Sequence, residues 1–219
     1  MVRAAIHRIN LRRVCFTALA AFGVMASPAF AQTYYVDEGS IGGRCDDART
    51  AAQAASVGTP WCSLTRAVGV APSNSTVLVR AGDYPFLSVA GSRSRSDYVT
   101  FSAFGDETAR VGGMSLSDSS YLAFDGLTLT STSEIGPDSD NIRLTDNTIS
   151  ADRSAVVLQD GASKTVIEGN RITSPRGSCV FFSSQSGSPA IVDTTIRGNV
   201  CDGAGVTGVN ARNFSGLLI

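Results

Sequence analysis

Seven apolar positions recur along the chain at nearly constant spacing: Val79, Phe101, Phe124, Leu144, Ile167, Ile196 and Ile219, separated by 22, 23, 20, 23, 29 and 23 residues. A second slot precedes each by two residues, at Val77, Val99, Leu122, Ile142, Thr165, Thr194 and Leu217. Two residues is the side-chain period of a strand, so each pair points to one face. One such short unit cannot bury its apolar face alone; stacking on the next unit buries it, which makes a solenoid. The chain is therefore expected to be all-β, a parallel β-helix with coils over 76–219. Its last unit, Ser215 to Ile219, stops between the apolar pair and the turn that should follow, so the seventh coil is expected to be incomplete.

The turns carry a second pattern. The apolar pair is followed by Asp125-Gly126-Leu127, Asp146-Asn147, Gly169-Asn170 and Gly198-Asn199. Gly, Asp and Asn tolerate the left-handed backbone that bends a strand sharply. One bend residue resets the alternation, so the slot of Leu127, Asn147, Asn170 and Asn199 also faces inward. Coils stack about 4.8 Å apart, close enough for each Asn amide to bond the next, and the corner should hold an internal polar ladder. Leu129, Ile149, Ile172 and Cys201 continue the interior, and further strands are expected at 156–158 and 180–182. The 29-residue coil holds an insertion, Ser183 to Pro189, that is either a functional rim or a tolerated loop.

Ahead of the repeats, residues 32–75 are expected to form an N-terminal cap. It begins with a strand at Thr33-Tyr-Tyr-Val36 and contains a short helix after Pro60, with Leu64, Val68 and Ala71 on one face and Pro72 ending it. An open solenoid end exposes strand edges, so such a cover is physically required. Residues 1–31 resemble an export signal: Arg3, His7, Arg8, Arg12 and Arg13 precede an apolar run, Val14 to Met25, and Ala29-Phe30-Ala31 is a small-x-small cleavage site. The run is too short to span a bilayer, so no membrane span is expected and the mature protein should be secreted or periplasmic.

Without that segment, 14 basic residues face 19 acidic ones, which argues against nucleic acid as a partner. Export permits disulfides. Cys45 and Cys62 flank a loop that a disulfide would close, worth about 3 kcal/mol. Cys179 and Cys201 are either a second pair or two buried thiols. The only histidine is His7 and the only lysine Lys164. Serine-histidine-acid triads, cysteine-histidine nucleophiles and histidine-ligated zinc are thereby excluded from the mature sequence, leaving Asp, Glu, Arg, Tyr and Lys164 for any chemistry.

Thr33-Tyr-Tyr-Val-Asp37, Pro60-Trp-Cys-Ser-Leu-Thr-Arg-Ala67, Thr76-Val-Leu-Val-Arg-Ala-Gly-Asp-Tyr84, Tyr98-Val-Thr-Phe-Ser-Ala-Phe104 and the Asn-x-Ile coil endings resemble exported right-handed parallel β-helix proteins of the pectate-lyase-like superfamily. The resemblance covers essentially the whole mature chain. It implies a right-handed β-helix and the binding or cleavage of polysaccharide, commonly acidic, by lyases, hydrolases or epimerases; tailspikes and adhesins share the scaffold. No catalytic set transfers. The histidine of polygalacturonase-like hydrolases is missing, the Asp-Pro-His-Asp run of alginate epimerases is absent, and Ser163-Lys164-Thr165-Val166 does not match the Lys-Ser-x-x-Asn context of the lysine lyases.

Outward slots of the first strand then form the natural platform: Tyr121, Ala123 and Asp125; Asn141, Arg143 and Thr145; Lys164, Val166 and Glu168; Asp193, Thr195 and Arg197. Tyr121, Arg143 and Arg197 are the candidate sugar contacts. Lys164 is the candidate base for β-elimination, although Asp193 shares its slot and an ion pair would hold it charged. Glu168 and Arg197 are matched in the same way. Asp138, Asp140 and Asp160, in neighbouring turns, are candidate calcium ligands; they are equally ordinary turn residues. The expected function is binding or cleavage of an acidic polysaccharide, with a non-catalytic carbohydrate-binding or surface-structural solenoid as the alternative.

Overall fold

The computed structural model of the chain describes residues 31–39 and 44–210 and a short strand at Phe214–Ser215. Residues 1–30 of the expected export signal, together with Leu217 and Ile219, lie outside the described residues. Every ladder among the described strands is parallel, and strands follow one another in chain order within each of three sheets, which is the topology of a β-helix. The long sheet holds seven strands: Gln32–Val36, Ser75–Val79, Val99–Ala103, Ser120–Asp125, Asp140–Thr145, Val166–Glu168 and Thr195–Arg197. A second sheet, Gly82–Tyr84 to Val200–Asp202, and a third, Leu87–Ala90 to Val209–Asn210, have six strands each.

The predicted apolar pairs stack inside as expected. Phe101 lies beside Phe124, with ring centroids 5.3 Å apart, and Leu144, Ile167 and Ile196 continue the column in register. One register differs. Phe101 pairs with Val77, not Val79, which lies opposite Ala103. A slip of two residues keeps every apolar side chain facing inward, so the hydrophobic pattern cannot distinguish the two registers.

The corner ladder is present. Asn147 Nδ2 donates to Asn170 Oδ1 at 3.0 Å, and Asn170 Nδ2 to Asn199 Oδ1 at 2.9 Å. Each Oδ1 also accepts the backbone N–H of the preceding coil, from Leu127 to Asn147, Asn147 to Asn170 and Asn170 to Asn199, all at 2.9 Å. Left-handed Gly126, Asp146, Gly169 and Gly198 make the bend, with φ of 64°, 52°, 67° and 63°.

Strand Gln32–Val36, which the sequence places in the cap, is the first strand of the long sheet, paired along its length with Ser75–Val79. Its free edge is met by Trp61, whose N–H bonds Tyr35 O at 3.0 Å and whose carbonyl accepts Asp37 N–H at 2.9 Å. Trp61 stacks on Tyr34 at 5.4 Å and donates its indole N–H to Arg49 O at 3.0 Å. The predicted helix is Leu64–Val70, capped by the Ser63 hydroxyl and burying Leu64, Ala67 and Val68. A second helix, Ala51–Ala54, was not foreseen; a Thr50/Gln53 capping box starts it. Disulfides join Cys45 to Cys62 and Cys179 to Cys201, resolving the open question about the second pair. Cys179 and Cys201 start from different slots, but both slots face the interior, and their Cα atoms lie 6.0 Å apart across it.

Candidate functional site

The outward side of the long sheet carries three columns of side chains parallel to the solenoid axis. The first contains Tyr98, Tyr121, Asn141, Lys164 and Asp193, each within two residues of a strand start. Its last four members are left-handed, with φ of 55°, 53°, 49° and 53°. Repeating that conformation coil after coil re-aims the column outward. The second column is Thr100, Ala123, Arg143, Val166 and Thr195, and the third Ser102, Asp125, Thr145, Glu168 and Arg197.

Two of the three predicted sugar contacts come together. Tyr121 meets Tyr98 edge-on, ring centroids 5.5 Å apart, and the Arg143 guanidinium lies over the Tyr98 ring at 4.0 Å. To reach Tyr98, Arg143 crosses the coil of its register partner Ala123, a small residue left 6% exposed. Burial pushes the Tyr98 phenol above its ordinary value; Arg143 pulls it down, while Tyr121 and Asp140 add to the rise. Tyr98 is therefore a neutral donor at physiological pH. Beside this corner, the Asp140 carboxylate accepts the Ser120 hydroxyl and the Asn141 amide.

Arg197 is elsewhere. It pairs with Glu168 at 2.8 Å in the third column, which holds the Glu168 carboxyl below and the Arg197 guanidinium above their ordinary values. In the same column Asp125 accepts hydroxyls from Thr145 at 2.7 Å and Ser102 at 3.3 Å. Lys164 and Asp193 share a column as expected, yet no ion pair joins them among the described residues. Shared register brings the Cα atoms together; a flexible ammonium at an exposed site gains too little from the pairing to be fixed by it.

The three aspartates do not converge. Among the described residues, no group of three or more His, Cys, Asp or Glu side chains is placed to hold a metal ion. Asp140 is engaged as above. Asp160 ties down the insertion: bonds from the Ser184 hydroxyl, the Gln185 N–H at 2.9 Å and Ser188 hold its carboxyl below the ordinary value. The insertion is thus anchored to the preceding coil, where Gly161 N–H also bonds Pro189 O at 2.9 Å. Tyr98 is the site residue that sequence reasoning missed. Val99 shares the slot of Leu122, so Tyr98 shares the outward slot of Tyr121; reading the outward slots from Tyr121 onward leaves it out.

A left-handed lysine is strained by roughly 1 kcal/mol. Lys164→Gly should therefore raise the thermal unfolding midpoint by about 2 °C. A lower midpoint in a calorimetric scan would show that the Lys164 side chain contributes more to the fold than its backbone costs.

Three parallel sheets wound coil by coil around an apolar interior, with one outward face of aromatic, cationic and hydroxyl groups, define a capped parallel β-helix protein. The chain belongs to the right-handed β-helix family, whose model, Right handed beta helix region, matches residues 88–217. No curated protein matches it. Among solved structures, a rhamnogalacturonan lyase is similar at 13% identity and a TM-score of 0.39, over 85% of this chain and 50% of the lyase. The chain spans half the length of that lyase. Among the described residues no helix is long and apolar enough to cross a membrane.

Proposed function

We propose that this is an exported protein that engages acidic polysaccharide along the outward face of the long sheet. The observation that carries the reading is the corner where Arg143 lies over Tyr98 beside Tyr121. Aromatic rings offer a flat apolar surface to a sugar ring, and a guanidinium offers paired donors to its carboxylate. The hydroxyls and amide around it, from Thr100, Asn141 and Thr145, add neutral contacts. Two disulfides suit an oxidising compartment, in keeping with secretion or a periplasmic location.

Binding is better supported than cleavage, because the cation of the corner is not flanked by an assembled acid and base. β-Elimination remains the second reading, favoured by one observation: the Lys164 ammonium is not tied to Asp193 and stands in the column next to Arg143. Both readings are tested on the same samples. Affinity electrophoresis through polygalacturonate, alginate and hyaluronan should retard the protein at low ionic strength, and salt should weaken the effect. Ultraviolet absorbance then reports unsaturated uronate ends, with and without calcium. Mobility unchanged in every anionic glycan would sink the binding reading; binding without new absorbance would sink β-elimination.

A further inference from the structure

We infer that Arg143 sets the class of sugar accepted at the Tyr98–Tyr121 corner, turning an aromatic platform into an anion-selective one. The assignment rests on the binding reading above and deepens it. Tyr98 is half-buried, and its ring face is occupied by the guanidinium at 4.0 Å. A neutral sugar ring can stack on Tyr98 only by displacing that cation, and it offers the cation nothing in return. An anionic sugar instead meets the cation in place, because Arg143 is exposed and forms no ion pair among the described residues. The other candidate cation of this face beyond Lys164, Arg197, already has Glu168. Seated over the ring, the guanidinium has five N–H donors, enough to keep a contact to Tyr98 and take two oxygens of one anion side by side. Tyr121, edge-on to Tyr98, walls the position where the sugar carrying that anion would lie. Ala123 makes the arrangement possible: a larger side chain in that slot would block the path of Arg143 to Tyr98.

The shared ligand chemistry is an anionic group on a pyranose, either a uronate carboxylate or a sulfate ester. Affinity electrophoresis of the whole chain, Arg143→Gln and Arg143→Lys, in gels containing polygalacturonate, its methyl ester, dextran sulfate or a neutral galactan, tests it. The wild type should be retarded by polygalacturonate or dextran sulfate, whichever anion fits, and by neither the ester nor the galactan. Arg143→Gln should lose about tenfold in affinity for that anionic polymer, as expected for a paired charged contact. It should also gain retardation in the neutral galactan, which adding Tyr98→Ala removes. Arg143→Lys, keeping charge without the fork, should fall between. Unfolding midpoints report that the variants are folded. If the wild type binds anionic polymer and Arg143→Gln binds it within twofold as well, the assignment to Arg143 is overturned while the binding reading stands. If the wild type binds no anionic polymer, both fail.

Discussion

Asn170→Ala should lower the thermal unfolding midpoint by about 12 °C, the expected consequence of a loss near 4 kcal/mol in a domain of this size. Asn170 is fully buried, and its Oδ1 accepts both the backbone N–H and the side-chain N–H of Asn147, at 2.9 and 3.0 Å. Its Nδ2 donates to Leu144 O at 2.8 Å and to Asn199 Oδ1 at 2.9 Å. Alanine leaves two donors on Asn147 without acceptors in a place water does not reach, and orphaned buried groups cost more than the bonds were worth. The same change at Asn199 should cost visibly less, because that amide is partly exposed and solvent can replace it. Calorimetry on both variants checks the gradient. Equal losses at the two positions would mean that the ladder does not act through burial.

The second large effect is expected in earlier coils, at the same bend between the long sheet and the second sheet. Glu107→Ala should destabilise by about 3 kcal/mol, lowering the midpoint by roughly 9 °C. Glu107 grips Arg80 with both oxygens, Nε to Oε2 and Nη2 to Oε1 at 2.9 Å, and accepts the Ala81 N–H at 2.8 Å. Arg80 is 7% exposed and also lies over Phe104, so removing Glu107 takes the hydrogen-bonded carboxylate from a buried cation and leaves it the attraction of Asp37. Glu107 itself keeps a quarter of its side chain in solvent, which places the loss at the low end for a broken buried pair. The Arg80 hydrogen bond holds the Glu107 carboxyl below its ordinary value near 4.5. A carboxyl lowered by folding stabilises fully above the unfolded value and progressively less as pH falls through the folded one. The gap between wild type and Glu107→Ala should therefore be widest at neutral pH and narrow in acid. Chemical unfolding at neutral pH and below pH 4 measures it; a gap that widens in acid would contradict the pairing.

Neither Glu107 nor Tyr98 stood out in the sequence, and the reason is the same. Arg80 and Glu107 are 27 residues apart and Tyr98 and Arg143 two coils apart, so both partnerships depend on where coils of unequal length bring side chains side by side. The Asn ladder was legible because it follows from parity alone: one bend residue per corner turns the slot inward, whatever the coil length. Glu168 and Arg197 were legible for a similar reason, being short steps apart in one column. The Lys164–Asp193 pairing failed although its register was right, because register places backbones and not the ends of flexible side chains. Tyr121 and Arg143 were read as separate sugar contacts in different slots; only the path of Arg143 over Ala123 made them, with Tyr98, a corner.

By itself the sequence determined the solenoid, its inward apolar slots and its turn chemistry. These follow from local periods and residue types, which act coil by coil. Tertiary structure decided the two-residue register of Val77 against Phe101, the joining of Cys179 to Cys201, the failure of Asp138, Asp140 and Asp160 to form a metal-holding group, and the seat of Arg143 on Tyr98. Each depends on the distance between side chains from different coils, and a repeat period leaves that distance open to any shift that keeps apolar faces inward.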